Sequence, residues 1–292
     1  MIEIKNCSKA FGKVQAVNQV SMDIGEHEVF GLIGSNGAGK STLLRIMAGI
    51  ICQDSGEVLL DEQPVFENEK IKEQFFYIPD DAYIPANYTA SDMTEYYRCF
   101  YPGFRQEQFH LDKKRKISTF SKGMKKQLLV ILGICAGTKY LYCDETFDGL
   151  DPVMRQAVKS LFASEIMNRE FTPVIASHNL RELEDICDHI GLLHKGGILL
   201  SRDLEDMKFH IHKIQCVLTD KSKEEMLIKE LDVLKTEHQG SLLLLTVRGT
   251  RTEIMERVQA KNPLFCEILP LTLEEIFISE TEVAGYEVKN LF

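Results

Sequence analysis

The sequence has few of the features that mark small disulfide-linked, zinc-binding or repeat proteins. It contains eight cysteines, none of them in a C-x-x-C pair, and no internal repeat or low-complexity segment. In a chain of 292 residues, such cysteines indicate neither a zinc cluster nor a disulfide framework. We expect them to behave as small buried hydrophobic residues in a reducing compartment.

A long apolar run is also missing. The longest, at residues 128–137, reaches about half the length that a membrane-spanning helix needs. The first five residues, MIEIK, lack the charged-then-apolar pattern of a signal peptide. The sequence therefore predicts a cytoplasmic protein with no membrane span of its own. If it serves a membrane, another chain supplies the spanning helices.

The chain has no excess of positive charge. It carries 34 lysines and arginines against 44 aspartates and glutamates, which gives a formal net charge of −10. Proteins that bind nucleic acids are usually basic, so we expect no nucleic-acid partner. With 44% hydrophobic and 27% charged residues, the composition is that of an ordinary globular protein of one large or two modest domains.

What the sequence does contain is a regular alternation of strand and helix patterns. Helical patterns follow short apolar runs typical of buried strands, which occur at residues 28–33, 75–78, 140–143 and 173–176. This alternation predicts an α/β domain with a largely parallel sheet that ends near residue 206. Beyond it, strand patterns at 213–218 and 242–247 flank a predicted helix at 223–234. They indicate a small α+β appendage over residues 207–292.

One loop has the pattern of a phosphate-binding site. Residues 34–41 read GSNGAGKS and match G-x-x-x-x-G-K-[ST] at every fixed position, between an apolar strand and a helix. Glycines let the backbone N–H groups turn onto phosphate oxygens, and the positive end of the helix dipole faces the same anion. We predict that Lys40 binds the β- and γ-phosphates of a nucleoside triphosphate, Ser41 its Mg²⁺ ion and Thr42 the α-phosphate. The other predicted contacts are Ser35, Asn36, Gly37, Ala38 and Gly39.

Two acids follow another apolar strand. Residues 140–145 read YLYCDE, and acids at the carboxyl end of a parallel strand point into the ligand crevice. We predict that Asp144 holds Mg²⁺ through its water shell. Glu145 faces a different direction and is the predicted general base for the attacking water. A solvated turn is the alternative interpretation.

A histidine lies in a similar position after a third strand. His178 follows the apolar run Val174–Ser177, from which it can contact a γ-phosphate. A lone histidine is more often structural. Its spacing after the two acids favours the catalytic role.

Residues 120–124, Phe-Ser-Lys-Gly-Met, lie shortly before the strand of the two acids. They resemble the LSGGQ signature of the ABC ATPase family, in a variant form found in many export-type members. Together with the P-loop, the two acids and His178, they make the chain similar to that family over residues 1–205. The resemblance implies an ABC ATPase domain at 1–206, with a mostly parallel sheet core, an N-terminal antiparallel β subdomain and a helical subdomain at about 86–137.

The resemblance also implies an ATP-dependent homodimer. Two such domains sandwich two ATP molecules, and Ser121 and Gly123 of one chain cap the γ-phosphate bound by the other. Asp151 corresponds to the loop that crosses the dimer interface. Phe11 corresponds to the aromatic residue that stacks on adenine, although an ordinary strand aromatic is the alternative.

Three positions depart from the family pattern. Asp80 stands where the family has a glutamine; a carboxylate can still hold Mg²⁺ through water, but it carries a charge that an amide lacks. Lys122 replaces the glycine after Ser121, which brings a cation close to the γ-phosphate. Residues 146–148, Thr-Phe-Asp, replace the usual Pro-Thr-Ser, and the sequence gives no role for Phe147.

Between Asp80 and Asp144, a helical pattern runs from Thr89 to about Lys116 and is interrupted at Pro102-Gly103. We call this segment the arm. Its aromatic residues either form a groove for a helix of the membrane partner, as the resemblance implies, or pack the arm's own core. They are Tyr96, Tyr97, Phe100, Tyr101 and Phe104. The basic run at 113–116 is either a solvated face or a contact with anionic lipid.

These patterns predict an ATP-binding and ATP-hydrolysing subunit of an ABC transporter, peripheral on the inner face of the cell membrane. Its predicted partners are a separately encoded permease and a second ATPase subunit, and its predicted cofactors are ATP and Mg²⁺. Residues 271–277, LTLEEIF, resemble the tail of drug-, bacteriocin- and polysaccharide-export ATPases, which favours export. A non-transport ABC ATPase, a weakly hydrolysing regulatory protein and a P-loop kinase are the alternatives.

Overall fold

The chain is described by a computed structural model over residues 1–85, 87–105, 114–147, 150–269 and 271–283. It divides into two compact units, Met1–Ser201 and Arg202–Phe292. The boundary predicted at residue 206 falls just inside the second unit. Within the described ranges, no helix is both long and apolar enough to cross a membrane.

The strands are of two kinds, fully buried ones and alternating ones with a single buried face. In chain order they are β1 (Ile2–Phe11), β2 (Val14–Ile24), β3 (Phe30–Ile33), β4 (Ser55–Leu60), β5 (Gln63–Pro64), β6 (Phe75–Ile78), β7 (Tyr140–Asp144), β8 (Thr172–Ser177), β9 (His189–His194), β10 (Gly197–Asp203), β11 (Ile211–Val217), β12 (Asp232–Gln239), β13 (Leu242–Arg248) and β14 (Phe265–Leu269).

Most of the helices begin at a capping side chain. Ser121 accepts a hydrogen bond from the Met124 N–H, and Asp151 accepts one from the Met154 N–H. The helices are α1 (Lys40–Met47), α2 (Glu69–Lys72), α3 (Ala90–Arg98), α4 (Lys122–Cys135), α5 (Pro152–Asn168), α6 (Leu180–Glu184), α7 (Leu204–His210), α8 (Lys221–Glu230), α9 (Arg251–Gln259) and α10 (Leu273–Val283).

The first unit contains the predicted parallel sheet, with strand order β10-β9-β3-β8-β7-β6. Strand β3 pairs in parallel with β8 and β9, and β7 pairs in parallel with β6 and β8. Every residue of β3, β7 and β8 is buried, as expected for strands covered on both faces. Because parallel strands share a direction, the loops after β3, β6, β7 and β8 leave the same edge of the sheet.

A second, antiparallel sheet in this unit has the order β2-β1-β4-β5. It confirms the N-terminal antiparallel subdomain that the family resemblance implies. Strands β1 and β2 form a hairpin in which Phe11 pairs with Val14. The apolar faces of both sheets and of α1 share one core.

The helical pattern predicted over residues 89–116 was wrong in extent. Helix α3 begins after Thr89 with a capping box and ends at Arg98, while Thr89 and Lys116 instead form an isolated antiparallel bridge. Pro102 has no N–H and disfavours a helical conformation at the residue before it. Residues 106–113, including the first lysine of the basic run, lie outside the described residues.

The second unit is a four-stranded antiparallel sheet in the order β12-β13-β11-β14. From β11 to β14 its elements follow the order β-α-β-β-α-β, which is the ferredoxin-like arrangement, with α7 before them and α10 after them. The predicted helix at 223–234 was wrong at its end, because α8 stops at Glu230 and the next residues form β12. Val233 contributes a β-branched side chain there and packs on the unit's core.

The cysteines have two different environments. Five are buried, as expected, but Cys52 and Cys99 are exposed and Cys266 is half-buried. The prediction that all eight are buried hydrophobic residues was therefore wrong for these three. Cys52 follows α1, and Cys99 caps the carboxyl end of α3.

Candidate active site

The predicted phosphate loop lies between β3 and α1, at the carboxyl edge of the parallel sheet. Gly39 is the N-cap of α1 and has φ of 107°, a region that favours glycine. A Cβ atom on Gly39 would lie 2.1 Å from the carbonyl oxygen of Ala16, and one on Gly34 would lie 2.5 Å from that of Leu193. Only glycine therefore fits at either end of this loop.

The lysine of the loop is almost fully buried. Lys40 is 5% exposed, and its Nζ donates hydrogen bonds to the carbonyl oxygens of Gly34, at 2.7 Å, and Ser35, at 3.3 Å. The same atom lies 3.1 Å from Oε1 of Glu145. A lysine is rarely buried unless it is paired, and this one is held inside the curve of the loop.

Two hydroxyl groups converge on Asp144, at the end of β7. Ser41 Oγ donates to Asp144 Oδ1 at 2.9 Å, and the Tyr77 hydroxyl donates to Oδ2 at 3.2 Å. Burial raises the pKa of Asp144, while the two hydrogen bonds act in the opposite direction. Burial, and then the nearby Asp144 charge, raise the pKa of Tyr77 to about 12. Tyr77 therefore stays protonated and remains a donor.

The next residue, Glu145, has an unusual backbone conformation. Its φ is 49°, in the left-handed region that residues with a Cβ atom adopt at some cost. Its N–H donates to the carbonyl oxygen of Ala176 at 2.9 Å. The resulting turn directs the carboxylate to His178, whose Nδ1 lies 2.8 Å from Oε2. Glu145 thus lies between Lys40 and His178.

A cavity of about 500 Å³ joins these groups. Ten of the predicted site residues line it: Asn36, Gly37, Ala38, Gly39, Lys40, Ser41, Thr42, Asp80, Glu145 and His178. Lys122, which the sequence predicts to bring a cation close to a γ-phosphate, also lines it, and two lining residues, Val14 and Ala16, belong to no predicted motif. Val14 and Ala16 come from β2, and no local sequence signal predicts the close approach of Ala16 to Gly39.

Six other predicted residues do not line this cavity; one of them, Asp144, contacts it through its hydrogen bond with Ser41. Phe11 is 49% exposed at the end of β1, with Lys9 Nζ 5.7 Å from its ring centroid. Ser121 and Gly123 lie at the start of α4, and Asp151 caps α5. Ser35 lies in the phosphate loop itself, where its carbonyl oxygen also accepts from the Ala38 N–H at 3.0 Å.

The loop after Glu145 is anchored by an aromatic side chain. Phe147 is fully buried, and its ring centroid lies 6.0 Å from that of Phe162, which in turn contacts Phe171. Packing therefore accounts for the residue whose role the sequence left open. Asp148 and Gly149, the next two residues of this loop, lie outside the described residues.

The aromatic residues of the arm divide into two groups. Tyr97 and Tyr101 pack on Phe76, with ring centroids 4.9 Å and 5.4 Å away. Tyr96 and Phe100 are 49% and 58% exposed. A second cavity of about 480 Å³ lies beside them, lined by Asn87, Tyr88, Asp92, Glu95, Tyr96 and Cys99. One group thus packs on strand β6 of the parallel sheet, and the other remains on the surface.

The donor set at Asp144 fits a magnesium ion that also contacts phosphate. Ser41 and Asp144 supply a hydroxyl and a carboxylate oxygen side by side, and Mg²⁺ prefers oxygen ligands from one or two protein groups plus substrate phosphates and water. Across the described ranges, no group of three or more His, Cys, Asp or Glu side chains is placed to hold a metal alone.

Comparison with known proteins places these features in one family. The ABC transporter family profile matches residues 17–148. The ABC transporter ATP-binding protein YtrB of Bacillus subtilis is 31% identical over 287 residues, covering 96% of this chain and 98% of that protein. The lantibiotic transport ATP-binding protein SrtF of Streptococcus pyogenes is 29% identical, covering 70% of this chain and 92% of its own length.

Among solved structures, the ATP-binding cassette MJ0796 has a similar fold. Its dimeric, post-hydrolysis structure with ADP and phosphate superposes with a TM-score of 0.63, at 19% identity, over 70% of this chain and 99% of that one. At this identity the likeness supports the fold alone. It agrees with the parallel sheet and phosphate loop described above.

Proposed function

This chain belongs to the ABC transporter ATP-binding proteins, a family of ATPases, and from that premise we propose that Glu145 and the residues around it hydrolyse ATP to power a separately encoded permease. The observation that carries the proposal is the single cavity shared by the phosphate loop, Glu145, His178 and Asp80. Phosphoryl transfer needs positioned cations and an oriented water more than covalent chemistry. This cavity supplies groups of both kinds.

The triphosphate fits the loop through backbone N–H groups, the α1 N-terminus and Lys40. ATP phosphates carry more negative charge than one carboxylate, so we expect them to take Lys40 from Glu145. The Glu145 carboxylate then orients the attacking water and accepts its proton. His178, 2.8 Å from Glu145, holds that carboxylate in place and contacts the γ-phosphate.

Ser41 and Asp144 are the proposed ligands of Mg²⁺, the latter through water. Bound Mg²⁺ neutralises the negative charge that develops on the phosphate oxygens. Asp80 lines the same cavity as Ser41 and is 52% exposed. We propose two alternative roles for it, a contact with the ion through water or an ion pair with Lys126, and the two give different Mg²⁺ requirements when Asp80 is changed. Tyr77, which the motifs do not include, orients the Asp144 carboxylate.

A homodimer is proposed to complete the site. Ser121 and Gly123 lie at the N-terminus of a 14-residue helix, which is suited to bind an anion from a second chain. Asp151 lies at the start of α5, where the family resemblance places the dimer contact, and Phe11 is exposed for contact with adenine. The dimer in the printed title of MJ0796 is consistent with this arrangement.

We propose that ATP hydrolysis is coupled to transport by a membrane permease, which is a separate chain. The exposed Tyr96 and Phe100, beside the cavity lined by Asp92 and Glu95, offer it a mixed apolar and acidic surface. We propose that the ATPase is peripheral on the cytoplasmic face of the membrane and that transport is outward. The name of SrtF, a lantibiotic transport protein, is consistent with that direction.

The test compares the wild type with Glu145→Gln by light-scattering mass, with Mg-ATP and with Mg-ADP, alongside phosphate release. We expect phosphate release to fall by roughly 10²-fold or more. With Mg-ATP the variant should form a stable dimer, because it still binds ATP but no longer hydrolyses it. The wild type with Mg-ADP should stay monomeric.

Glu225→Gln is the matched control. Glu225 is exposed on α8 in the second unit, so its change should affect neither mass nor rate. A Glu145→Gln variant that remains monomeric with ATP bound and releases phosphate at the normal rate would contradict the proposal.

A further inference from the structure

A buried lysine on α4, which we call the signature helix because it contains signature residues 122–124, contacts two parts of the active site. Lys126 belongs to α4 and its side chain is 6% exposed. Its Nζ donates a hydrogen bond to the main-chain carbonyl oxygen of Glu145 and lies 3.4 Å from Oδ1 of Asp80. The signature helix, the loop after β6 and the loop after β7 therefore meet at one amino group.

The contact with Glu145 acts on its backbone. Two hydrogen bonds to its own main chain hold Glu145 at positive φ: its N–H donates to the Ala176 carbonyl oxygen, and its C=O accepts from the Lys126 side chain. A non-glycine residue stays in this conformation only when its surroundings hold it there. The direction of the Glu145 carboxylate therefore depends on Lys126.

The contact with Asp80 supplies the charge balance. A buried ammonium group is costly unless an opposite charge and hydrogen-bond acceptors lie nearby. Among the described residues, Asp80 is the carboxylate within salt-bridge distance of Lys126. The neutral amide of the glutamine found at this position in the family would leave that charge unbalanced.

From this geometry we infer that Lys126 is a positioning residue for Glu145 and that Asp80 serves as its counter-charge. The inference rests on the proposed role of Glu145 as general base. It explains the Asp80 departure from the family pattern, since the charge at position 80 matches the charge at position 126. Movement of α4, or of the loop after β6 or β7, would change the direction of the Glu145 carboxylate.

The experiment is a double-mutant cycle on the full-length chain. It uses Lys126→Gln, Asp80→Asn and the double variant, with Lys125→Gln as the matched control on the same helix. Phosphate release gives kcat, KM and the Mg²⁺ concentration at half-maximal rate, and a fluorescent ATP analogue gives Kd. Thermal unfolding midpoints are measured for all five proteins.

We expect Lys126→Gln to lower kcat roughly 10- to 100-fold, because a small misplacement of a catalytic group has an effect of that size. ATP Kd should stay within about threefold, since Lys126 does not touch the phosphate loop. Asp80→Asn should lower kcat less. In the Lys126→Gln background it should have no further effect, because interacting residues are non-additive. Lys125→Gln should match the wild type.

Three results would overturn the inference: an unchanged kcat in Lys126→Gln, equal effects of Asp80→Asn in both backgrounds, or an increased Mg²⁺ requirement for Asp80→Asn that persists without Lys126. The last would assign Asp80 to the metal instead. The unfolding midpoints test the Lys126–Asp80 pair without ATP hydrolysis. They therefore still test the inference if phosphate release proves independent of Glu145. That independence would contradict the proposed function separately.

Discussion

The two units differ in where they bury charge. Within the described ranges, the buried ionic side chains of the first unit are Lys40, Lys126, Asp144, Glu165 and Glu182, whereas the buried polar residues of the second unit are the uncharged Thr246 and Ser279. Three of the five, Lys40, Lys126 and Asp144, lie at the carboxyl edge of the parallel sheet. Because burying a charge opposes folding unless it is paired, the first unit needs a partner for each charge buried at this edge. The second unit does not.

The strongest test of this comparison is to remove a charge from each unit. Lys40→Met should lower phosphate release by roughly 10²- to 10³-fold, the range found when a group that stabilises transition-state charge is lost. Lys229→Met, at an exposed position of α8, should leave the rate unchanged. Steady-state phosphate release at saturating ATP measures both. Equal rates for the two variants would break the comparison.

The opposite test removes apolar volume from the second unit. Leu245 is fully buried in its core, so Leu245→Ala should lower the free energy of unfolding by about 2–5 kcal/mol. Leu264, which is 73% exposed, serves as the control, and Leu264→Ala should change it by less than about 0.5 kcal/mol. Urea unfolding gives both values. Phosphate release by folded Leu245→Ala should match the wild type, and a loss of it would show that the second unit contributes to chemistry.

The smallest expected effect is on the pH dependence of stability. Burial raises the pKa of Asp144, so this carboxyl favours folding while it is protonated. Its ionisation then destabilises the fold as the pH rises through its folded-state pKa. Asp144→Asn should therefore unfold at a higher temperature than the wild type at pH 7, and the difference should shrink as the pH is lowered.

Asp232→Asn is the control for this effect, because Asp232 is exposed at the start of β12 and its change should not alter the midpoint. Calorimetry from pH 4 to pH 8 measures the curves. A lower midpoint for Asp144→Asn at pH 7 would mean that the hydrogen bonds from Ser41 and Tyr77 outweigh the burial of its charge.

The parts of the site that sequence predicts are those encoded in one continuous segment. The loop at 34–41 and the pair Asp144 and Glu145 follow apolar strands, and the sharing of one edge by parallel strands then brings them together. His178 was found in the same way, from the strand before it.

The residues that sequence missed act across elements. Tyr77 reaches Asp144 because β6 and β7 are adjacent, with Tyr77 opposite Tyr142. The position of Lys126 depends on how α4 packs beside the turn after β7. In the second unit, residues 231–234 fit either the end of a helix or the start of a strand. Pairing of β12 with β13 determined the outcome.

The uneven burial of the cysteines makes the chain suitable for selective labelling. Burial raises the pKa of Cys7 and Cys216 to about 11 and that of Cys143 to about 12, so little reactive thiolate forms at neutral pH. Cys52 and Cys99 are exposed, one after the phosphate-loop helix and one at the end of the arm helix. With the half-buried Cys266 changed to Ser, a donor and acceptor dye pair on these two thiols would report the distance between arm and nucleotide site during turnover, without an introduced cysteine.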